Sequence, residues 1–314
     1  MNDQTLENDR PRHGLALIAA ALVFALVPAL VLGLLFPSMA RADEASAAEA
    51  PRYLALGDSI TWGYEPGDVQ LKDCFANLLA QKKGYAVENR GIVGNTAAKM
   101  KKQLATGELD ESIKSAKVIT ITCGGNDLLG VVYNKAAALY NKQDKKAEPL
   151  TGEDVIDIMV AGPGSDSRYI SVQLAVYCAV ATGKIETSPE FRSALNAFIS
   201  DLNDVTARIK ELNPDVKIYL STQYNPYAHF CGTYKAIAPR LDVCASRLRD
   251  AVVANARTGG YTVADVYAAF GGRTAELCNA SENPMQLDFH PSAAGHVVIA
   301  DVFAEVMPDA SELA

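Results

Sequence analysis

From residue 52 onward, short apolar runs alternate with longer stretches in which apolar positions recur every three or four residues. The runs "RYLAL" (52–56), "YAVENR" (85–90), "AKVITITCGG" (116–125), "VKIYLST" (216–222) and "YTVADV" (261–266) read as strands, because they concentrate the β-branched and aromatic residues that fit a pleated surface. Between them, "VQLKDCFANLLAQKKG" (69–84) predicts an amphipathic helix stopped by Gly84, and "NTAAKMKKQLATG" predicts a helix from near Asn95 to near Gly107. A last helix is predicted from about Ser292 toward Val306. Strands that alternate with helices call for a parallel sheet with helices on both faces. The expectation is one α/β domain of three layers with a mainly parallel five-stranded sheet.

The alternation breaks once. Residues 128–190 separate the third and fourth strands by far more than an ordinary connection, and their apolar stretches argue against a structureless loop. This segment predicts a helical insertion, which either walls a ligand site or packs against one flank of the sheet. With that insertion set aside, the order of elements is flavodoxin-like, and the domain is expected to span 51–314 after an alanine-rich linker at 43–50.

The N-terminus has a different pattern. Arg10, Arg12 and His13 precede an apolar stretch from Gly14 to Phe36, and Ala40-Arg41-Ala42 offers a small-x-small cleavage site. Residues 1–42 therefore predict a cleaved signal peptide or an uncleaved signal anchor, since the apolar core is long enough to cross a bilayer. Either way the domain is expected outside the cytoplasm, secreted or membrane-anchored. All six cysteines lie in the exported part, where disulfides persist. Cys231 and Cys244 bracket a short loop and are the first pair expected to join, whereas Cys123, ending an apolar strand, suits a buried thiol. A formal charge of -8 argues against a nucleic-acid partner, and Lys99, Lys101 and Lys102 read as the solvated face of a helix.

The chemistry gathers at strand ends. The first strand stops at Gly57-Asp58-Ser59, which is either an ordinary turn or a serine presented at the carboxyl edge of the sheet, where open α/β folds bind ligands. "NRGIVGNT" after the second strand places Gly91 and Gly94 in a loop entering a helix, "GGND" after the third offers the amide of Asn126, and "DFHP" places His290 before the last helix. A serine hydroxyl needs a base, and an oxyanion needs preorganised donors. With these four blocks in order, the sequence resembles the GDSL or SGNH hydrolase superfamily from about 52 to 306. The resemblance implies Ser59 as nucleophile, His290 as base, and Ser59, Gly94 and Asn126 as oxyanion-hole donors. It implies no cofactor and no metal.

One spacing departs from the family pattern. The usual acid position, three residues before the histidine, is Leu287, and the acid here is Asp288, only two before His290. Either a bend brings Asp288 to the imidazole, or a backbone carbonyl holds the ring. Asp58 and Asp127 read as turn-fixing acids, and His296 as structural. His229 is placed at the entrance to the site, the "YNPY" around Asn225 either resembles a loop of lipase-like members or is a turn set by Pro226, and Trp62 lies beside the nucleophile. The expected activity is a monomeric esterase or lipase acting on a small-molecule or lipid ester. The alternatives are an O-deacetylase acting on an acylated glycan and a non-catalytic binding module.

Overall fold

The computed structural model describes residues 50–65, 69–143, 148–160, 177–178, 180–230, 235–280 and 288–313. Along β1 (Arg52–Gly57), Leu54 and Leu56 join one apolar cluster while Tyr53 and Ala55 join another, all four buried. A strand that is apolar on both sides needs cover on both sides, which is the requirement of a central parallel strand. β1 lies between β2 (Ala86–Gly91) and β3 (Val118–Thr122), and β4 (Lys217–Ser221) and β5 (Thr262–Ala264) extend the sheet in the order β2-β1-β3-β4-β5, every pair parallel. The five expected strands are all present, in flavodoxin-like order.

The register aligns the loops that leave the strands. Gly57 sits opposite both Gly91 and Thr122, so β1, β2 and β3 end level. The chain therefore delivers Ser59, Gly94 and Asn126 to one edge, at the point where the strand order reverses. Ligands bind there in such folds.

Two sets of helices cover the sheet. Met100 and Leu104 of α3 (Ala97–Ala105), Ile113 of α4 (Asp110–Ser115), and the buried stripes of α7 (Pro189–Leu212) and α8 (Ala238–Gly259) pack with Leu54, Leu56, Ile119 and Ile121. On the other face α2 (Phe75–Lys83), α9 (Val266–Phe270), α10 (Thr274–Leu277) and α11 (Ala293–Val306) cover Tyr53, Ala55 and Val118, with Phe75 stacked on Phe303 at 5.3 Å.

Two helix starts differ from expectation. α2 begins at Phe75, because Val69–Gln70 pairs instead with Tyr64–Glu65 in a small antiparallel ribbon. α3 begins at Ala97, with Thr96 capping it by accepting the Lys99 N–H at 3.1 Å.

The long insertion does carry helices. α5 (Gly125–Gln143) leaves the end of β3, and α6 (Gly152–Val160) packs against it around Ala137, Tyr140 and Val155. The Asn141 side chain both donates to and accepts from the backbone of Leu150 at 2.8 Å, which ties the end of α5 to the residues just before α6. Leu128, Val131 and Val132 tie α5 into the main core.

The expected signal or anchor at 1–42, the linker residues 43–49 and Cys231 lie outside the described residues. The five described cysteines are free thiols. The anticipated pairing partner of Cys231 is among them: Cys244 faces inward from α8, and burial pushes its thiol up to about 12. Cys123 is the buried thiol expected of it. Among the described residues no helix is long and apolar enough to cross a membrane.

Candidate active site

The turn after β1 is built to hold a hydroxyl at the sheet edge. Gly57 has φ 150°, and any Cβ there would overlap the hydroxyls of Thr61 and Thr122. Only glycine fits such a close approach. Asp58 then caps α1 (Ser59–Trp62), accepting the Ile60 N–H at 3.0 Å and the Thr122 hydroxyl at 2.8 Å. Ser59 is thereby locked into the first helical turn, where its N–H has no intrahelical acceptor. Burial pushes the Asp58 carboxyl up to about 6, against the opposing hydrogen bonds from Thr122 and Ile60 and the charge of His290.

His290 meets this serine from the other end of the chain. Its Nε2 lies 2.8 Å from Ser59 Oγ, and both residues are buried. Asp288 reaches the opposite ring nitrogen, with Oδ1 2.7 Å from Nδ1, and the same oxygen accepts the backbone N–H of His290 at 3.0 Å. That second bond resolves the unusual spacing. The carboxylate curls back over its own chain in an Asx-type turn, which brings an acid two residues away onto the ring. Burial alone would raise the Asp288 carboxyl, but hydrogen bonds from the His290 ring and backbone, its charge and the Asn279 amide hold it below the usual value. An ionised Asp288 fixes the proton on Nδ1 and leaves Nε2 to accept from the serine. The ring itself packs against Tyr64 and Phe289, with centroids at 4.5 and 4.7 Å.

The expected donors, Gly94 and Asn126, follow the neighbouring strands. Gly94 has φ 71°, with open space where a side chain would go, so the backbone conformation rather than crowding calls for glycine. Asn126, in the first turn of α5, gives one amide hydrogen to the carbonyl of Asn95 at 2.9 Å, which leaves the other to face outward. Asp127 accepts the Ala97 N–H at 3.2 Å, and its carboxyl is raised to about 6 by burial. It and Asp58 are turn-fixing acids, as their positions suggested.

An apolar cleft opens beside Ser59. Leu128, Leu129 and Val132 of α5, with Ile185 and Phe191, and Leu241, Cys244, Ala245 and Leu248 of α8 line it. The insertion is thus a wall of the cleft as well as a packing element. Tyr227 and Phe289 line it too, so the "YNPY" loop contributes to the site.

Two placements differ from the sequence reading. His229 is not at the entrance; its ring nitrogens lie 3.3 Å from Thr274 Oγ1 and 3.2 Å from the Ala280 carbonyl, which turns it into a separate groove. Trp62 does not line the cleft, because the indole is set against Tyr64 at 6.1 Å. Tyr64, Thr122 and Gln223 join the site without any motif of their own to signal it, although Thr122 ends a strand at the level of Gly57, and Phe289 joins it from within the "DFHP" block. His296 is structural as expected, fully buried and accepting the Phe75 N–H at 3.2 Å. Among the described residues no cluster of His, Cys, Asp and Glu is arranged to hold a metal.

A model of the GDSL-like lipase/acylhydrolase family matches residues 55–298. The chain belongs to this family. No curated protein matches the chain by sequence. Solved structures share its fold: phospholipase A1 from Streptomyces albidoflavus (17% identity, TM-score 0.55, covering 82% of this chain and 99% of that one) and an extracellular lipase from Streptomyces rimosus (15%, 0.55, 82% and 100%). A lipase from a goat rumen metagenome is similar at 19% identity and TM-score 0.52, covering 81% of this chain and 96% of that one. Membership of the GDSL-like family supports an ester hydrolase.

Proposed function

We propose that this protein is an exported serine esterase that cleaves carboxylic esters of aliphatic acids through an acyl-enzyme on Ser59. The observation that carries this reading is the unbroken chain Asp288–His290–Ser59, with contacts of 2.7 and 2.8 Å between partners drawn from opposite ends of the domain. His290 takes the serine proton as Oγ attacks the ester carbonyl, and then gives it to the leaving alcohol. Asp288 holds the ring and stabilises the imidazolium that forms. The carbonyl oxygen, now charged, is taken up by the N–H groups of Ser59 and Gly94 and the Asn126 amide acting as oxyanion donors. Water then enters by the same route and releases the acid.

The cleft favours an aliphatic acyl group over an acetylated glycan. Leucine, isoleucine, valine, phenylalanine and alanine side chains make up much of its lining, alongside the polar Asn126, Gln223, Tyr224, Asn225 and Tyr227, and an acyl chain gains about 0.8 kcal/mol for each methylene buried against the apolar part. A series of p-nitrophenyl esters from acetyl to dodecanoyl, run beside acetylated xylan, tests the assignment. The reading predicts kcat/KM rising with chain length and little release of acetate from xylan. Ala245→Phe, which narrows the cleft, should lower kcat/KM for the octanoyl ester at least tenfold more than for the acetyl ester. Equal losses for both, or a strong preference for xylan, would contradict the acyl assignment.

A further inference from the structure

Asn95 reads from the sequence as the start of α3, yet Thr96 takes the capping role and leaves the Asn95 side chain for other work. It is buried at 3% exposure, and each of its polar side-chain atoms is engaged. Nδ2 donates to the carbonyl of Gly57 at 3.2 Å, and Oδ1 accepts the Thr96 N–H at 3.1 Å. Its backbone carbonyl accepts the amide of Asn126 at 2.9 Å. The backbone N–H closes a turn to Ile92 at 3.1 Å, and Ile92 in turn donates to Gly57 at 3.0 Å. One residue therefore touches the chain two positions before Ser59, adjoins Gly94, and orients Asn126.

We infer that Asn95 is the positioning residue of the oxyanion site, registering the loops after β1, β2 and β3 against one another so that their three donors converge. The inference rests on the serine esterase reading. Three donors on three separate loops share no covalent frame, and a displacement of about 1 Å can cost on the order of a hundredfold in rate. The amide of Asn95 ties the second loop to the first. Its carbonyl fixes which amide hydrogen of Asn126 is spent and which faces the substrate. Asp127 adds a second tie from the third loop to the start of α3 through the Ala97 N–H. Asn95 touches neither substrate nor Ser59 and acts only through the donors.

The test is a double-mutant cycle with Asn126 on the full exported chain. Asn95→Ala should lower kcat for a p-nitrophenyl ester by about 10- to 100-fold with KM within about twofold, since donors act on the transition state. Affinity for a trifluoromethyl ketone of the same chain length should fall in the same proportion. Asn95→Asp keeps the shape and the acceptor for Thr96 but cannot donate to Gly57, so it should lose kcat likewise and serves where the alanine variant is too unstable. Because Asn95 acts through the three donors together, the double variant Asn95→Ala/Asn126→Ala should lose clearly less than the product of the two single losses, one of the donors it registers being already gone. Losses that multiply, or an Asn95 variant within threefold of wild type, would overturn the inference. Wild-type protein inert toward esters would overturn the esterase reading itself, and this inference with it.

Discussion

At the scale of the residue, the decisive feature is the carboxylate of Asp288, two positions from His290 instead of three. In an extended chain residues two apart share a face but stand about 6–7 Å apart, beyond hydrogen-bond reach. The hydrogen bond from the His290 N–H to Oδ1 bends the chain, and the same oxygen then meets Nδ1 at 2.7 Å. Asp288→Asn should therefore lower kcat by about 10²- to 10⁴-fold, because an uncharged amide neither fixes the tautomer nor stabilises the imidazolium. Steady-state kinetics on a soluble ester reads this directly. A loss below about tenfold would mean the carboxylate is dispensable and leave a Ser59–His290 pair. The identity of this acid was legible in the sequence, but its reach was not, since that depends on a local turn which spacing alone does not specify. The role of Asn95 was hidden for a related reason. Asn and Thr in adjacent positions both cap helices well, and only the three-dimensional demand of the Gly57 carbonyl separates their roles.

At the scale of the element, the joint between α2 and α11 carries a pH dependence. α2 has no side-chain cap of its own at Cys74, and the buried His296 of α11 supplies an acceptor for its first N–H. Burial, with a smaller contribution from the charge of His290, lowers His296 to about 4. The unfolded chain thus binds a proton at this residue between about pH 6.5 and 4 that the native protein does not, so this contribution to stability falls as pH falls through that window. Asp58 and Asp127 act in the opposite sense, because their raised values, about 6, make the native carboxyls favour the protonated form; their contributions are present below 3.8 and lost as pH rises through 6. His296→Asn retains an acceptor near the Nδ1 position and does not titrate. Chemical unfolding of wild type and variant from pH 4 to 7 should give a stability difference that changes across the window, with the variant losing less on acidification. A pH-independent difference would contradict the assignment. The elements themselves were largely readable, because Leu54 and Leu56 alternate with Tyr53 and Ala55, and the strand-ending motifs come in order. The start of α2 was not, since Val69 and Gln70 suit a helix as well as the ribbon they form with Tyr64 and Glu65.

At the scale of the whole molecule, a level edge formed by β1, β2 and β3 gathers residues from 59 to 290 into one site, and the 128–190 insertion walls its cleft. The domain is proposed to work outside the cytoplasm. N-terminal sequencing of exported material should therefore begin at Asp43 if cleavage follows Ala42, whereas an intact, membrane-bound chain would favour the anchor. The free Cys244 facing the cleft wall from α8 was beyond sequence reading, because loop length says nothing about which way a helix turns a thiol. The central claim is that Ser59 is a nucleophile activated by His290. Its most direct test is a fluorophosphonate probe followed by peptide mapping of the labelled protein. The account predicts stoichiometric labelling on Ser59, absent from Ser59→Ala and strongly slowed in His290→Ala. Labelling of another serine, or none on correctly folded wild-type protein, would contradict it.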